Sequence, residues 1–230
     1  MRKIAVVILV SLFSANLPAQ GPFSQLADPT SEVRTVVWNP QVGQGSEYDM
    51  TTHNGTTMHV TLAVTSTEAV EDQTGYWLEI GVNTSELGQI YMQNLTTSVS
   101  GHLRTSKSIF QVSGAPPMNF PAGSGPARNR RNPDSKSDNS SDIRTGGKKV
   151  GVETITVPAG TFQCEHWRAS DGSGDAWLST NVVPYSVVKA TDKDSGLMLL
   201  TKTTNNAKSH ITGKPVPFDP AIFMSAARRK

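Results

Sequence analysis

The sequence predicts a mainly β protein built around one antiparallel sheet. Three observations predict it. Apolar and polar residues alternate with period two through Met58-His59-Val60-Thr61-Leu62-Ala63-Val64 and again through Tyr76-Trp77-Leu78-Glu79-Ile80, the pattern of a strand with one buried face. Turn signals recur at Asn54-Gly55, Gln73-Thr74-Gly75, Pro158-Ala159-Gly160, Asp171-Gly172-Ser173-Gly174 and Asp192-Lys193-Asp194-Ser195-Gly196, at the spacing of an antiparallel sheet. Helical periodicity is nearly absent.

The elements follow in order. Glu47 to Thr52 reads as a first strand, and Asn54-Gly55 is a strong hairpin signal. The alternating run ending at Val64 is the second strand, and Gln73-Thr74-Gly75 marks the turn into Tyr76 to Val82. Gln89 to Thr97 and Ser108 to Val112 continue the sheet. In the second half, Val150 to Val157, Thr161 to Ser170, Asp175 to Ser179, Tyr185 to Thr191 and Leu197 to Thr203 read as strands. At most two short helices are expected. One lies in 24–37, where Asp28, Thr30 and Ser31 are good caps but Val36 and Val37 suit a strand equally. The other lies near 218–227.

Residues 121–149 break the pattern. They are mostly Gly, Pro, Ser, Asn, Asp, Arg and Lys, with Ile143 the one large apolar residue. Such a stretch buries too little to offset its ordering entropy, so a long disordered insertion is expected within a single β-rich domain spanning 21–230. Arg128, Arg130, Arg131, Lys136, Arg144, Lys148 and Lys149 outnumber Asp134, Asp138 and Asp142. The basic loop 128–149 therefore reads either as solvated chain or as an arm for transient contact with an anionic envelope or membrane surface.

The amino end reads as a leader. Arg2 and Lys3 precede an apolar run, Ile4 to Phe13, and then a small and polar stretch to Gln20. Charge, apolar run and small residues in that order mark a cleavable secretory signal over residues 1–20, cut after Ala19 or Gln20. The run is about half the length of a bilayer span. The mature chain is expected in the periplasm or outside the cell. Removing Arg2 and Lys3 lowers the formal net charge from +2 to 0, which excludes a nucleic-acid role based on bulk basicity.

Motifs of catalysis and metal binding are missing from the sequence. His53, His59, His102, His166 and His210 form no metal-ligand spacing, and no P-loop, dinucleotide fingerprint or nucleophile elbow occurs. Asp192 to Gly196 resembles the start of a calcium loop. Its glycine comes one place early, and Thr203 stands where the closing Glu belongs, so a hairpin turn is the simpler reading. Cys164 is the only cysteine. It reads as a small buried hydrophobe, with an intermolecular disulfide or a reactive thiol as alternatives. His166 would share its strand face, while Glu165 would point the other way. Nucleophilic catalysis needs a third, orienting group that the sequence does not offer. No metal, cofactor or enzymatic activity is expected.

The second half carries a resemblance. Val157-Pro158-Ala159-Gly160-Thr161-Phe162-Gln163-Cys164 leads to Trp177-Leu178-Ser179 and then to Val183-Pro184-Tyr185-Ser186-Val187-Val188-Lys189. This resembles uncharacterised exported bacterial proteins related to the LolA/LolB lipoprotein-carrier superfamily. The first half fits more loosely, through Gly45-Ser46-Glu47-Tyr48 and Gly75-Tyr76-Trp77-Leu78-Glu79. The resemblance implies a half-barrel sheet whose apolar concavity shelters acyl chains, closed on one side by helices. The expected function is therefore a non-enzymatic periplasmic or secreted binder of lipid or another hydrophobic ligand. The expected contacts on a concave face are Tyr76, Trp77, Leu78, Trp167, Trp177 and Tyr185, residues that ordinary core packing would explain equally well. The rival expectation is an envelope interaction module with a filled core.

Overall fold

Two meanders, joined edge to edge, make up a single open curved sheet. The computed structural model describes residues 37–51, 55–84, 88–99, 102–120, 143–192, 196–219 and 221–222. The expected leader, most of the possible helix at 24–37, and residues 121–142 of the insertion lie outside these. The first meander comprises β1 (Gln44–Thr51), β2 (Thr57–Val70), β3 (Gln73–Thr84), β4 (Gly88–Val99), β5 (His102–Val112) and β6 (Met118–Phe120). After one helical turn, α1 (Ile143–Gly146), the second comprises β7 (Gly147–Val157), β8 (Gly160–Ala169), β9 (Gly174–Leu178), β10 (Val187–Asp192) and β11 (Leu197–Asn205). A two-residue strand, β12 (Val216–Pro217), follows. The order across the sheet is β12-β6-β5-β4-β3-β2-β1-β11-β10-β9-β8-β7. Every neighbouring pair is antiparallel except β12 with β6.

The period-two pattern in the sequence becomes the buried face of the first meander. Tyr48 pairs with Val60 and Leu200, Leu62 with Ile80, Val64 with Leu78, and Val60 with Val82. All of these side chains are buried. Each such aliphatic side chain contributes about 2 kcal/mol relative to an exposed one. At Gly45 the strands approach so closely that a Cβ would sit 2.3 Å from the Leu62 carbonyl oxygen.

Four local differences from expectation have physical causes. The turn into β3 is at Glu71-Asp72, with Glu71 at φ +52, so Gln73 to Gly75 belong to the strand. Gly75 is there for packing: a Cβ would lie 2.8 Å from both Leu95 Cδ1 and Val70 Cγ2. Residues 143–149, expected within the disordered insertion, form α1 and the start of β7, because Ile143 is fully buried in the main core and anchors α1 against the start of β7. The strand expected from Tyr185 begins at Val187, since Ser179 to Ser186 form a loop closed by Ser179 N–H to Ser186 O at 2.8 Å. The short strands β6 and β12 have no period-two pattern. They are held by a second apolar cluster of Ile90, Phe110, Val112, Ala115 and Met118, with Val216, Phe218 and Ile222 packed on it.

The second meander buries side chains on both of its faces. In β8, Cys164 and His166 share a face, and His166 pairs with Trp177. Ala176 and Leu178 therefore lie on the opposite face, and Cys164, Ala176 and Leu178 are all buried. The second meander turns back on itself: the Ala159 amide at the β7–β8 turn donates to the Leu200 carbonyl in β11 at 3.3 Å.

Candidate functional site

The apolar face of β1–β3 is the surface on which a ligand would be expected, and this chain's own segments cover it. Tyr48 is fully buried, and its hydroxyl donates to the Val187 carbonyl at 2.9 Å. The Ser179–Ser186 loop brings Val182 and Tyr185 into the same core and buries Val183. Residues 37–39 lie along it, with Val37 N–H donating to Tyr185 O at 3.1 Å and Asn39 N–H to Pro184 O at 2.7 Å. Burial pushes the Tyr48 and Tyr185 phenols up from their ordinary range, so both rings stay neutral.

The six expected contact residues do not meet on one surface. Tyr76 and Tyr185 are brought together through Trp38, with ring centroids at 6.2 Å and 5.6 Å from it. Leu78 is fully buried beneath. Trp77 lies on the opposite face of β3, where its Nε1 donates to Glu68 Oε2 at 3.1 Å. Lys107 binds the other oxygen of that carboxylate and, with Trp77, holds it below the usual carboxylate range. Trp167 donates to Glu165 Oε2 at 3.1 Å. Trp177 is on the face opposite Trp167, since Trp167 pairs with Ala176.

Trp177 belongs to a polar cluster that the sequence did not reveal. His166, 6% exposed, stacks on the Trp177 indole at 4.4 Å between centroids. Its Nδ1 is 2.7 Å from Glu153 Oε1, and its Nε2 is 2.7 Å from Asp175 Oδ1. Both ring nitrogens thus face carboxylate oxygens on either side of the imidazole. Trp177 Nε1 donates to Glu153 Oε2 at 2.9 Å, Arg168 Nε donates to Asp175 Oδ1 at 2.9 Å, and Lys189 Nζ sits 4.5 Å above the Trp177 ring. The hydrogen bonds from Trp177 and His166 draw the Glu153 carboxyl below its ordinary range. The cluster thus ties β7, β8, β9 and β10 together on one face.

Cys164, beside this cluster, is a packing residue. It is 1% exposed, and burial, with the Glu153 charge nearby, pushes its thiol up to about 11. Its Sγ faces the Phe162 carbonyl at 3.7 Å, while both ring nitrogens of His166 face carboxylates. The geometry that a cysteine–histidine nucleophile requires is therefore not formed. Among the described residues, no three His, Cys, Asp or Glu side chains are placed to hold a metal.

Two further histidines engage carboxylates. His59 in β2 faces Asp49 Oδ1 at 3.0 Å and Glu47 Oε2 at 3.3 Å, and Lys202 binds Glu47 Oε1 at 2.8 Å. Burial of Glu47 is outweighed by Lys202 and His59, which hold its carboxyl below the ordinary range. His210 lies in the segment after β11 and stacks on Tyr91 at 4.6 Å. Its backbone N–H and its Nδ1 reach the buried Glu79, at 3.0 Å and 2.7 Å. Gln93 Nε2 and Ser209 Oγ donate to the same carboxylate at 2.9 Å and 3.1 Å. This segment covers the β3–β4 face opposite Leu78 and Ile80. The partners are 131 residues apart, and no local sequence signal links them.

Comparison with known proteins is sparse. No family model and no curated protein matches the chain. Solved structures resemble it at low similarity. A candidate lipoprotein from Parabacteroides distasonis is 16% identical at a TM-score of 0.36, over 74% of this chain and 99% of that one. A candidate exported protein with a YmcC-like fold from Bacteroides fragilis is 13% identical at 0.35, over 74% and 100%. MucB is 9% identical at 0.37, over 83% of this chain and 62% of its own length. Likenesses of this strength assign neither a family nor an activity.

Proposed function

We propose that this chain is an exported, non-enzymatic interaction module of the cell envelope, whose sheet is a filled scaffold. The observation that carries this reading is the covering of the apolar face by the chain itself. Tyr48, Leu62, Leu78, Val182, Val187, Val188 and Leu200 are each at most 1% exposed, under the Ser179–Ser186 loop and residues 37–39. The leader-like residues 1–20 support export. Organic extraction and native mass spectrometry of the purified protein test the reading. The expected result is no retained lipid and no change in tryptophan fluorescence on adding fatty acid. A stoichiometric copurifying lipid overturns it.

A second reading, an amphiphilic ligand on the same face, is favoured by one observation. Asn94 Nδ2 and Thr105 Oγ1 are buried and have no hydrogen-bond partner among the described residues. They flank Thr96, which pairs with Tyr76 and with Thr105. Buried polar atoms of this kind are satisfied by water or by a ligand's polar group. The aromatic group of Trp38, Tyr76 and Tyr185 lies near the same end. Asn94→Leu distinguishes the two readings, since it abolishes retention of an amphiphile and leaves a dry scaffold intact.

A further inference from the structure

The two ends of the sheet are guarded differently. β12 is two residues long and contains Pro217, which has no N–H to offer, and short, proline-bearing edges resist pairing. β7 is 11 residues long and, among the described residues, pairs with β8 alone. Among the described residues its outer backbone groups have no strand partner and form a template of donors and acceptors, up to Val157, which is buried in the main core. Val150 and Val152 are 48% and 58% exposed, and they are two of the three large hydrophobic residues exposed among the described residues. Two solvated valines on an edge strand mark a contact surface better than they mark a packing residue.

The remaining side chains define what fits. A bulge between Lys149 and Gly151 interrupts the β7–β8 register, so the regular part of the edge runs from Gly151 to Val157. Lys148 is exposed at its amino end beside Lys149, which pairs with Glu165 of β8, and Arg144 is exposed just before them. The one carboxylate on β7, Glu153, points to the opposite face from Val152 and is held by Trp177 and His166. Val152, Thr154 and Thr156 face solvent together with Lys149, as their partners Glu165, Gln163, Thr161 and Trp167 show. The edge is thus basic at one end and β-branched along its length.

We propose that the outer edge of β7 is a docking strand for an extended acidic peptide segment of a partner protein. The peptide adds antiparallel to Gly151–Val157 through backbone hydrogen bonds, as strand-addition modules do. Its acidic residues lie at its carboxyl end, against Lys148, since Lys149 is already paired with Glu165, and its β-branched residues lie against Val152 and Thr154. A second copy of this chain fits less well. The register that sets Lys148 against the other copy's Glu153 places the Val150 bulge on the twofold axis, and Glu153 is already committed within its own chain. The inference rests on the interaction-module reading and specifies its contact surface.

The test uses the full mature chain and two labelled synthetic peptides of alternating Thr and Val, one ending in Asp-Asp and the other in Lys-Lys. Fluorescence anisotropy and amide hydrogen exchange are read together. The Asp-Asp peptide is expected to bind about tenfold more tightly, a preference that fades in 1 M salt, and to protect amides of Gly151 to Val157. Lys148→Glu reverses the preference, and Val152→Lys weakens both peptides while leaving thermal unfolding unchanged. Equal binding of the two peptides, or protection confined to other strands, overturns the proposal. So does sedimentation showing a dimer that Val152→Lys dissociates, because the edge then belongs to a second copy. Lipid extraction is a separate readout, so failure of the docking strand and failure of the filled-scaffold reading are distinguishable.

Discussion

His166 and His59 make the same contacts in different surroundings. Each ring faces two carboxylates, and each group includes a further cation, Arg168 or Lys202. The His166 side chain is 8% exposed and stacked on an indole, while that of His59 is 46% exposed. A surface ion pair gains little in high dielectric and is screened by salt. A buried one is costly to break, because the surviving charges are left without compensation. His210 is intermediate: its ring is 59% exposed, but the carboxylate it reaches is 3% exposed. Between His166 and His59 the partners are of the same kind, and burial separates them.

This ranking is open to direct tests. His166→Ala leaves Glu153 and Asp175 facing each other and removes the stacking partner of Trp177. It should lower unfolding stability in urea by about 3 kcal/mol, the low end for a broken buried pair because Glu153 is itself solvated. A loss no larger than that of His59→Ala would show that burial does not set the order. Glu79→Ala strands donors from Gln93, Ser209 and His210, and should cost about 2 kcal/mol. The His210 amide should then exchange freely, whereas in the wild type it is protected.

The acid limb is third. Glu153 and Glu47 have carboxyls held below their ordinary value of 4.5. Their contribution is therefore complete above pH 4.5 and is lost as pH falls through the lower folded value. Glu153→Gln should flatten the decline of stability below pH 4.5 more than Glu47→Gln does, since burial opposes ionisation chiefly at Glu47. Equal slopes in urea titrations at pH 3 to 6 would contradict this. His59→Ala has the smallest expected effect, at most about 0.5 kcal/mol. That effect should vanish in 1 M salt, where the His166 difference persists.

The sheet was legible wherever one face is buried and the other is wet. Met58 to Val64 satisfies that condition, and its alternation marks β2 directly. Ser108 to Val112 does too, but β5 begins six residues earlier, at His102, where Arg104, Ser106 and Lys107 are exposed and apolar alternation is weak. β6 and β12 are too short to show a period. Gly75 looked like a turn residue and is a packing residue, because local sequence does not record that Leu95 will lie above it. The polar clusters were hidden for a similar reason. Glu153, His166 and Asp175 are brought together only by the register of β7, β8 and β9, and Glu79 meets His210 only through tertiary folding.

The joint between the two meanders has a consequence for the order of events in folding. Each meander is made of neighbours in sequence and can zip up hairpin by hairpin. The β1–β11 ladder cannot: Glu47 and Lys202 are 155 residues apart. Closing so long a loop costs on the order of 4 kcal/mol in chain entropy, and non-local pairing of this kind slows folding. A chain delivered amino end first presents the open side of β1 until its last long strand has arrived. During that interval the first meander has two unpaired borders instead of one, and Lys202 reaching Glu47 marks the moment at which the inner border disappears.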